Sequence, residues 1–130
     1  MTVALDSWAI LAWIDGDDPA TDLVNGALES ADPVVISWIN LAEVQYNVSR
    51  RAGARIASET TAALEEALRP ELPTRAITLL AADLKAEHPM AFGDCFAVAT
   101  AAQLGLELWT GDPEIVDRAS VLPCAVRDLR

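Results

Sequence analysis

The sequence predicts a single α/β domain whose parallel sheet is covered by helices on both faces. Its length of 130 residues fits one domain, and its apolar fraction of 52% is enough for a hydrophobic core. Short, β-branched apolar runs that do not alternate with polar residues are typical of strands buried on both faces. These runs alternate with segments of helical periodicity, and that order implies crossover connections between parallel strands.

The N-terminal part of the chain predicts one strand and two helices. Val3–Leu5 is a short apolar run that ends at Asp6, and we interpret it as a buried strand. The following helix is expected to begin with Ser7 as its cap, and to end where the turn-forming sequence DGDDP begins. A second helix is predicted at Ala20–Glu29, where the apolar residues fall on one stripe.

The middle of the chain continues the alternation, with proline and glycine marking the boundaries between elements. The predicted elements are a strand at Pro33–Ile36, a helix from Ser37 to about Arg51, a helix at Ala54–Leu68, a third strand at Arg75–Ile77 after Pro73, and a helix from Thr78 to Glu87.

The C-terminal part predicts a helix of small apolar residues at Gly93–Leu104, which Gly105 ends. Leu106–Trp109 is the fourth predicted strand, and a turn containing Pro113 leads into a short helix at Glu114–Arg118. Cys124–Val126 is the candidate for a last strand.

The charge of the chain is strongly acidic, with 20 Asp and Glu against 9 Lys and Arg and a formal net charge of −11. This balance argues against a generic basic surface for nucleic acid, because phosphate contacts are normally made by Lys and Arg. Nucleic acid remains possible as a substrate, since a bound metal ion can supply positive charge.

The remaining composition excludes several other classes of protein. Two cysteines, Cys95 and Cys124, are too few for a disulfide framework and favour a reducing, cytoplasmic compartment. The single His88 excludes histidine-based zinc sites. No apolar run approaches the length of a membrane span, and the N-terminus lacks the basic region of a signal peptide.

Four acidic residues fall at one edge of the predicted sheet. Asp6 and Asp112 follow strands, Glu43 lies one turn into the helix after the second strand, and Asp94 opens the small-residue helix. Each acid by itself is also explained as a helix cap, a turn residue or a solvated side chain. Together they would repel one another unless a cation were bound, and oxygen-only ligation suits Mg²⁺ or Mn²⁺. Phosphodiester hydrolysis is the reaction that best uses such a centre.

The segments LDSWAILAW, INLAEV, FGDCFAVATA and LWTGDPEI, in that order, resemble a PIN domain, and in particular the VapC-type toxins of bacterial type II toxin–antitoxin pairs. The resemblance spans residues 3 to about 129. It implies that residues 1–130 form a single ribonuclease domain. It implies a three-layer α/β/α fold with a central parallel sheet and a ribonuclease activity that depends on Mg²⁺ or Mn²⁺. It also implies a cognate antitoxin, an RNA substrate, a homodimer and no association with a membrane.

The resemblance assigns the catalytic, metal-binding acids to four positions, which are Asp6, Glu43, Asp94 and Asp112. Asp117 is a rival for the fourth position. Ser7 and Thr110 are expected to orient the ligands or bound waters. The RNA would be held by the metal and by a few arginines, so binding should be weak without Mg²⁺.

Three questions remain open from the sequence. A catalytically degenerate PIN-like module that only binds protein would carry the same segments. The four tryptophans (Trp8, Trp13, Trp38 and Trp109) fit packing better than stacking on bases, although both are possible. An arginine cluster (Arg50, Arg51, Arg55, Arg69 and Arg75) fits contact with an RNA backbone or a solvated helix end equally well.

Overall fold

The computed structural model describes residues 1–130 and contains one sheet of five parallel strands in the order β3-β2-β1-β4-β5. The elements in chain order are β1 (Val3–Leu5), α1 (Ser7–Ile14), α2 (Ala20–Glu29), β2 (Val34–Ser37), α3 (Trp38–Ala52), α4 (Ala54–Ala67), β3 (Arg69–Glu71), α5 (Arg75–Glu87), α6 (Phe92–Leu104), β4 (Glu107–Thr110), α7 (Pro113–Val116), a 3₁₀ turn (Ala119–Val121) and β5 (Val126–Asp128).

The two faces of the sheet carry separate hydrophobic cores. Leu5 and Ile36 point to one face and pack with apolar residues of α1, α2, α3 and α4. Ala4 and Leu108 point to the other face and pack with α5, α6 and α7. Because successive strand residues point to opposite faces, both sides of a short apolar strand are buried. The predicted α/β fold, with helices on both faces of a parallel sheet, is confirmed.

The predicted third strand at Arg75–Ile77 is wrong. Those residues form the first turn of α5, which Thr74 caps by accepting a hydrogen bond from the Ile77 amide at 3.2 Å. The Thr78 start predicted for this helix is therefore also displaced. The third strand is instead Arg69–Glu71, an edge strand beside β2. Pro70 made this strand hard to recognise in the sequence, because proline in a sheet is found mainly in edge strands.

Smaller differences concern the ends of the elements. Asp6, and not Ser7, caps α1, because its Oδ1 accepts a hydrogen bond from the Ala9 amide at 2.9 Å. The last strand is Val126–Asp128, about two residues later than predicted. Gly105 ends α6 in the left-handed conformation with φ of 66°, as expected for a glycine at this position. None of the helices has the length and apolar character needed to cross a membrane.

Candidate metal centre

The carboxyl ends of β1 and β4 place the first two groups of the site side by side. The two strands pair in parallel with Leu5 opposite Trp109, so the residues that follow them, Asp6 and Thr110, are neighbours. The Thr110 hydroxyl donates a hydrogen bond of 2.5 Å to Asp6 Oδ2. This bond holds the Asp6 carboxylate in place, and Thr110 is the residue that the family resemblance assigns as a supporting hydroxyl.

Asp6 is buried, with 1% of its surface exposed. Burial raises its pKa from 3.8 to about 7, although hydrogen bonds from Thr110 and Ala9 oppose the shift. The negative charges of Asp112 and Glu43 raise the pKa further. A buried carboxylate that is this costly to ionise, with no basic partner, is typical of a site that binds a cation.

Glu43 approaches the same point from α3. Its Oε1 accepts hydrogen bonds from the Ser7 hydroxyl at 3.2 Å and from Asn40 Nδ2 at 2.8 Å. Asn40 is itself buried, and its Nδ2 also donates to the carbonyl oxygen of Gly93 at 3.0 Å. A Cβ atom at Gly93 would overlap the Glu43 carboxylate, so glycine lets α6 pass this close to α3 without displacing that side chain. Ser7 orients Glu43, while Asn40, which the sequence analysis did not single out, ties it to α6.

Asp94, Asp112 and Glu114 form a compact cluster in which one carboxylate oxygen from each lies within 4.8 Å of the others. Asp94 is buried, with 7% of its surface exposed. Its pKa rises from 3.8 to about 8, mainly because of burial and then because of a hydrogen bond to the Glu114 carboxylate, with further contributions from the charges of Asp112 and Asp6. Asp94 therefore holds its proton more tightly than Glu114 does.

Glu114 was not predicted as a site residue from the sequence, where it marks only the start of a short helix. Its Oε2 accepts a hydrogen bond from the Ala91 amide at 2.9 Å, and this bond, followed by the one with Asp94, lowers the Glu114 pKa. Its position two residues after Asp112 in TGDPE was the available signal, because Pro113 starts a helical turn and turns the next acid back toward the strand end.

The two candidates for the fourth acid are now separated in space. Asp112 caps α7 through a hydrogen bond from the Glu114 amide at 2.9 Å, and its own amide donates to Thr110 Oγ1 at 3.0 Å. Its carboxylate joins the cluster, whereas Asp117 is exposed at the other end of α7. Asp112 thus combines helix capping with membership of the cluster, while Asp6 caps α1 beside it.

No lysine or arginine nitrogen lies within 4.0 Å of a carboxylate oxygen of these five acids. The predicted arginine cluster is also largely engaged elsewhere: Arg51, Arg55 and Arg69 pair with Asp15, Glu59 and Glu71 respectively. An oxygen-only set of donors without an internal cation fits a hard divalent ion such as Mg²⁺ or Mn²⁺ and does not fit zinc. The donor chemistry of the site therefore agrees with the metal predicted from the sequence.

A family model described as the PIN domain matches residues 3–121 of the chain. No curated protein is similar in sequence to it. Among solved structures, it is similar to VapBC2 from Rickettsia felis bound to a promoter DNA fragment, with a TM-score of 0.79, 18% identity and 100% of both chains covered. It is also similar to VapBC-1 from Haemophilus influenzae, with a TM-score of 0.78, 19% identity, and 99% of this chain and 98% of that chain covered.

A third similar structure is VapC20 from Mycobacterium tuberculosis, which is described as a toxin that cleaves the sarcin–ricin loop. The TM-score is 0.74 at 20% identity, and the match covers 92% of this chain and 95% of that chain. These likenesses extend over nearly the full length of each protein and support the three-layer α/β/α fold that the sequence resemblance implied.

Proposed function

Because the chain belongs to the PIN domain family, we propose that it is a metal-dependent endoribonuclease and the toxin of a toxin–antitoxin pair. The observation that carries this proposal is the cluster of Asp94, Asp112 and Glu114, with no cation among them. Asp6 is joined to it through Thr110, and Glu43 through Asn40 and Gly93. Neighbouring carboxylates repel one another and lower the stability of the folded chain. A bound cation would remove this repulsion, which explains why the acids are kept together.

We propose that Asp94, Asp112 and Glu114 hold the metal ion, because one carboxylate oxygen of each lies within 4.8 Å of the others. Asp6 and Glu43 complete the predicted set from the sides of β1 and α3. A bound Mg²⁺ or Mn²⁺ ion would supply charge stabilisation at the scissile phosphate and a more acidic attacking water.

The chain's own residues hold the site in shape. Thr110 fixes Asp6, while Ser7 and Asn40 fix Glu43, so the carboxylates do not need to be reorganised when substrate arrives. The proton held by Asp94, whose pKa is raised to about 8, must leave when a cation binds there. The pKa of Asp6 is raised to about 7 in the metal-free chain, so cation binding is expected to release its proton as well.

The same reasoning extends to partners and compartment. The VapBC complexes of similar fold support an antitoxin partner, and the net charge of −11 favours a partner with a basic segment. RNA is the proposed substrate, in line with the description of VapC20. We further propose a homodimer, as the family resemblance implies, and a cytoplasmic location consistent with the free thiols of Cys95 and Cys124.

The test is cleavage of a structured RNA in Mg²⁺ or Mn²⁺ by the purified chain. We expect Asp6→Asn and Asp94→Asn to reduce the rate at least 100-fold, and EDTA to abolish it. Asp83→Asn, a matched change of an exposed acid on α5, should cleave like the wild type. Equal rates for all three variants would refute the assignment of the site. Failure to bind Mn²⁺ in calorimetry would instead favour the catalytically degenerate, protein-binding module.

A further inference from the structure

We propose that a shallow cavity beside the metal centre binds one nucleobase of the RNA substrate, and that it prefers guanine. The cavity, here called the Trp8 pocket, has a volume of about 250 Å³. It lies between α1 and the end of α3 and is lined by Trp8, Leu11, Ala12, Asp15, Asp17 and Arg51. The inference rests on the proposed ribonuclease function and adds to it a base that the enzyme selects.

The position of Trp8 connects the pocket to the metal centre. The six-membered ring of Trp8 lies against Gly111, where an added Cβ atom would overlap it. Gly111 stands between Thr110 and Asp112, and Trp8 itself comes two residues after Asp6. A base on the indole would therefore be about one nucleotide from a phosphate at the acids, as in enzymes that read a base splayed out of single-stranded RNA.

Trp8 differs from the other tryptophan of α1 in a way that suits a binding role. The Trp13 indole N–H donates to Asn25 Oδ1 at 2.8 Å, so this side chain is engaged with α2. Trp8 instead packs partly buried against the hydrophobic core and lines the cavity. A ring that is held in place by the core and lines a cavity is suited to stack a base.

The polar groups of the pocket indicate which base would be bound best. The Asp17 carboxylate has no hydrogen-bond partner, while its backbone is anchored to Ala12 and Thr21 by bonds of 2.9 Å. Carboxylates only accept hydrogen bonds, and guanine offers two adjacent N–H donors on its Watson–Crick edge. Uracil offers one donor between two carbonyl oxygens, which a carboxylate repels. Arg51, paired with Asp15 at 2.8 Å, keeps further donors that suit a guanine carbonyl.

The experiment compares cleavage of short RNAs that differ at one base next to the scissile bond. We expect Trp8→Leu to raise KM about 10-fold for the guanine substrate, whereas Trp8→Phe, which keeps an aromatic face, should raise it less than about 3-fold. Asp17→Asn should remove most of the preference for guanine over uracil. The matched controls are Trp13→Phe and Asp18→Asn, since neither residue lines the pocket. Wild-type KM and base preference in the Trp8 and Asp17 variants would overturn the proposal.

A second measurement separates this inference from the proposed function. Guanosine 5′-monophosphate should quench tryptophan fluorescence of the wild type in EDTA, and Trp8→Leu should abolish the quenching. Quenching without any metal-dependent cleavage would support the pocket and refute the ribonuclease. Metal-dependent cleavage without base preference, and without quenching that depends on Trp8, would refute the pocket and leave the ribonuclease intact.

Discussion

Replacing Gly93 by alanine tests whether the position of Glu43, and not only its charge, is needed for the site. The added Cβ atom would overlap both carboxylate oxygens of Glu43. These oxygens are the end of a flexible side chain, so the carboxylate is expected to move while α6 stays in place. All five acids remain in the variant, so a change in activity reports geometry alone.

The size of the effect follows from the contacts that are lost. A displaced Glu43 gives up the hydrogen bonds from Ser7 at 3.2 Å and from Asn40 at 2.8 Å. Disturbing such supporting contacts typically lowers metal affinity or activity by about 10- to 100-fold. Alanine is favoured over glycine in a helix by about 1 kcal/mol, which offsets part of the lost bonding. We therefore expect activity to fall at least 10-fold while the free energy of unfolding changes by no more than about 1 kcal/mol.

The assay is RNA cleavage at several Mg²⁺ concentrations, together with urea denaturation of the metal-free protein. Gly26→Ala is the matched control, because it also lies in a helix and its Cβ would meet no atom within 4 Å. It should keep wild-type activity and gain up to about 1 kcal/mol of stability. A folded Gly93→Ala variant with wild-type activity and Mg²⁺ dependence would refute the role given to Glu43.

Three further predictions concern the charges of the site. Asp6 and Asp94 have raised pKa values of about 7 and about 8, so the folded chain holds more protons than the unfolded chain above pH 4. The unfolding free energy without metal should therefore fall from pH 4 to pH 8, by on the order of 4 kcal/mol for Asp6 alone. Urea titrations across this pH range check the fall, and a flat profile would contradict it. Asp6→Asn should make the profile less steep, leaving the part due to Asp94, and should stabilise the metal-free protein at pH 8, because asparagine can keep bonds to Ala9 and Thr110. A lower melting temperature at pH 8 would argue against it. Glu114→Gln should weaken Mn²⁺ binding about 10-fold in calorimetry, and unchanged affinity would remove Glu114 from the ligand set.

Much of the fold can be predicted from the sequence, because most of its helices and strands follow from local patterns of residues. The β-branched run at 34–36 and the small-residue helix α6 are recognisable without knowledge of their neighbours. The edge strand Arg69–Glu71 was missed for the same reason, since its burial pattern is weak and its strand character comes only from pairing with β2. The rule that ligands bind at the carboxyl ends of parallel strands then predicted the edge at which the acids meet.

Sequence alone determined the types of residue in the candidate site, because an acidic residue that follows a predicted strand can be recognised without a structure. Only the tertiary structure decided how these residues touch. Asp6 and Thr110 are 104 positions apart, and Asn40 and Gly93 are 53 apart, yet both pairs are in hydrogen-bond contact. Glu114 joins the cluster through its contacts with Asp94 and Ala91, from α6 and the residue before it. Such contacts depend on how separate elements pack, and no local periodicity of the chain encodes that packing.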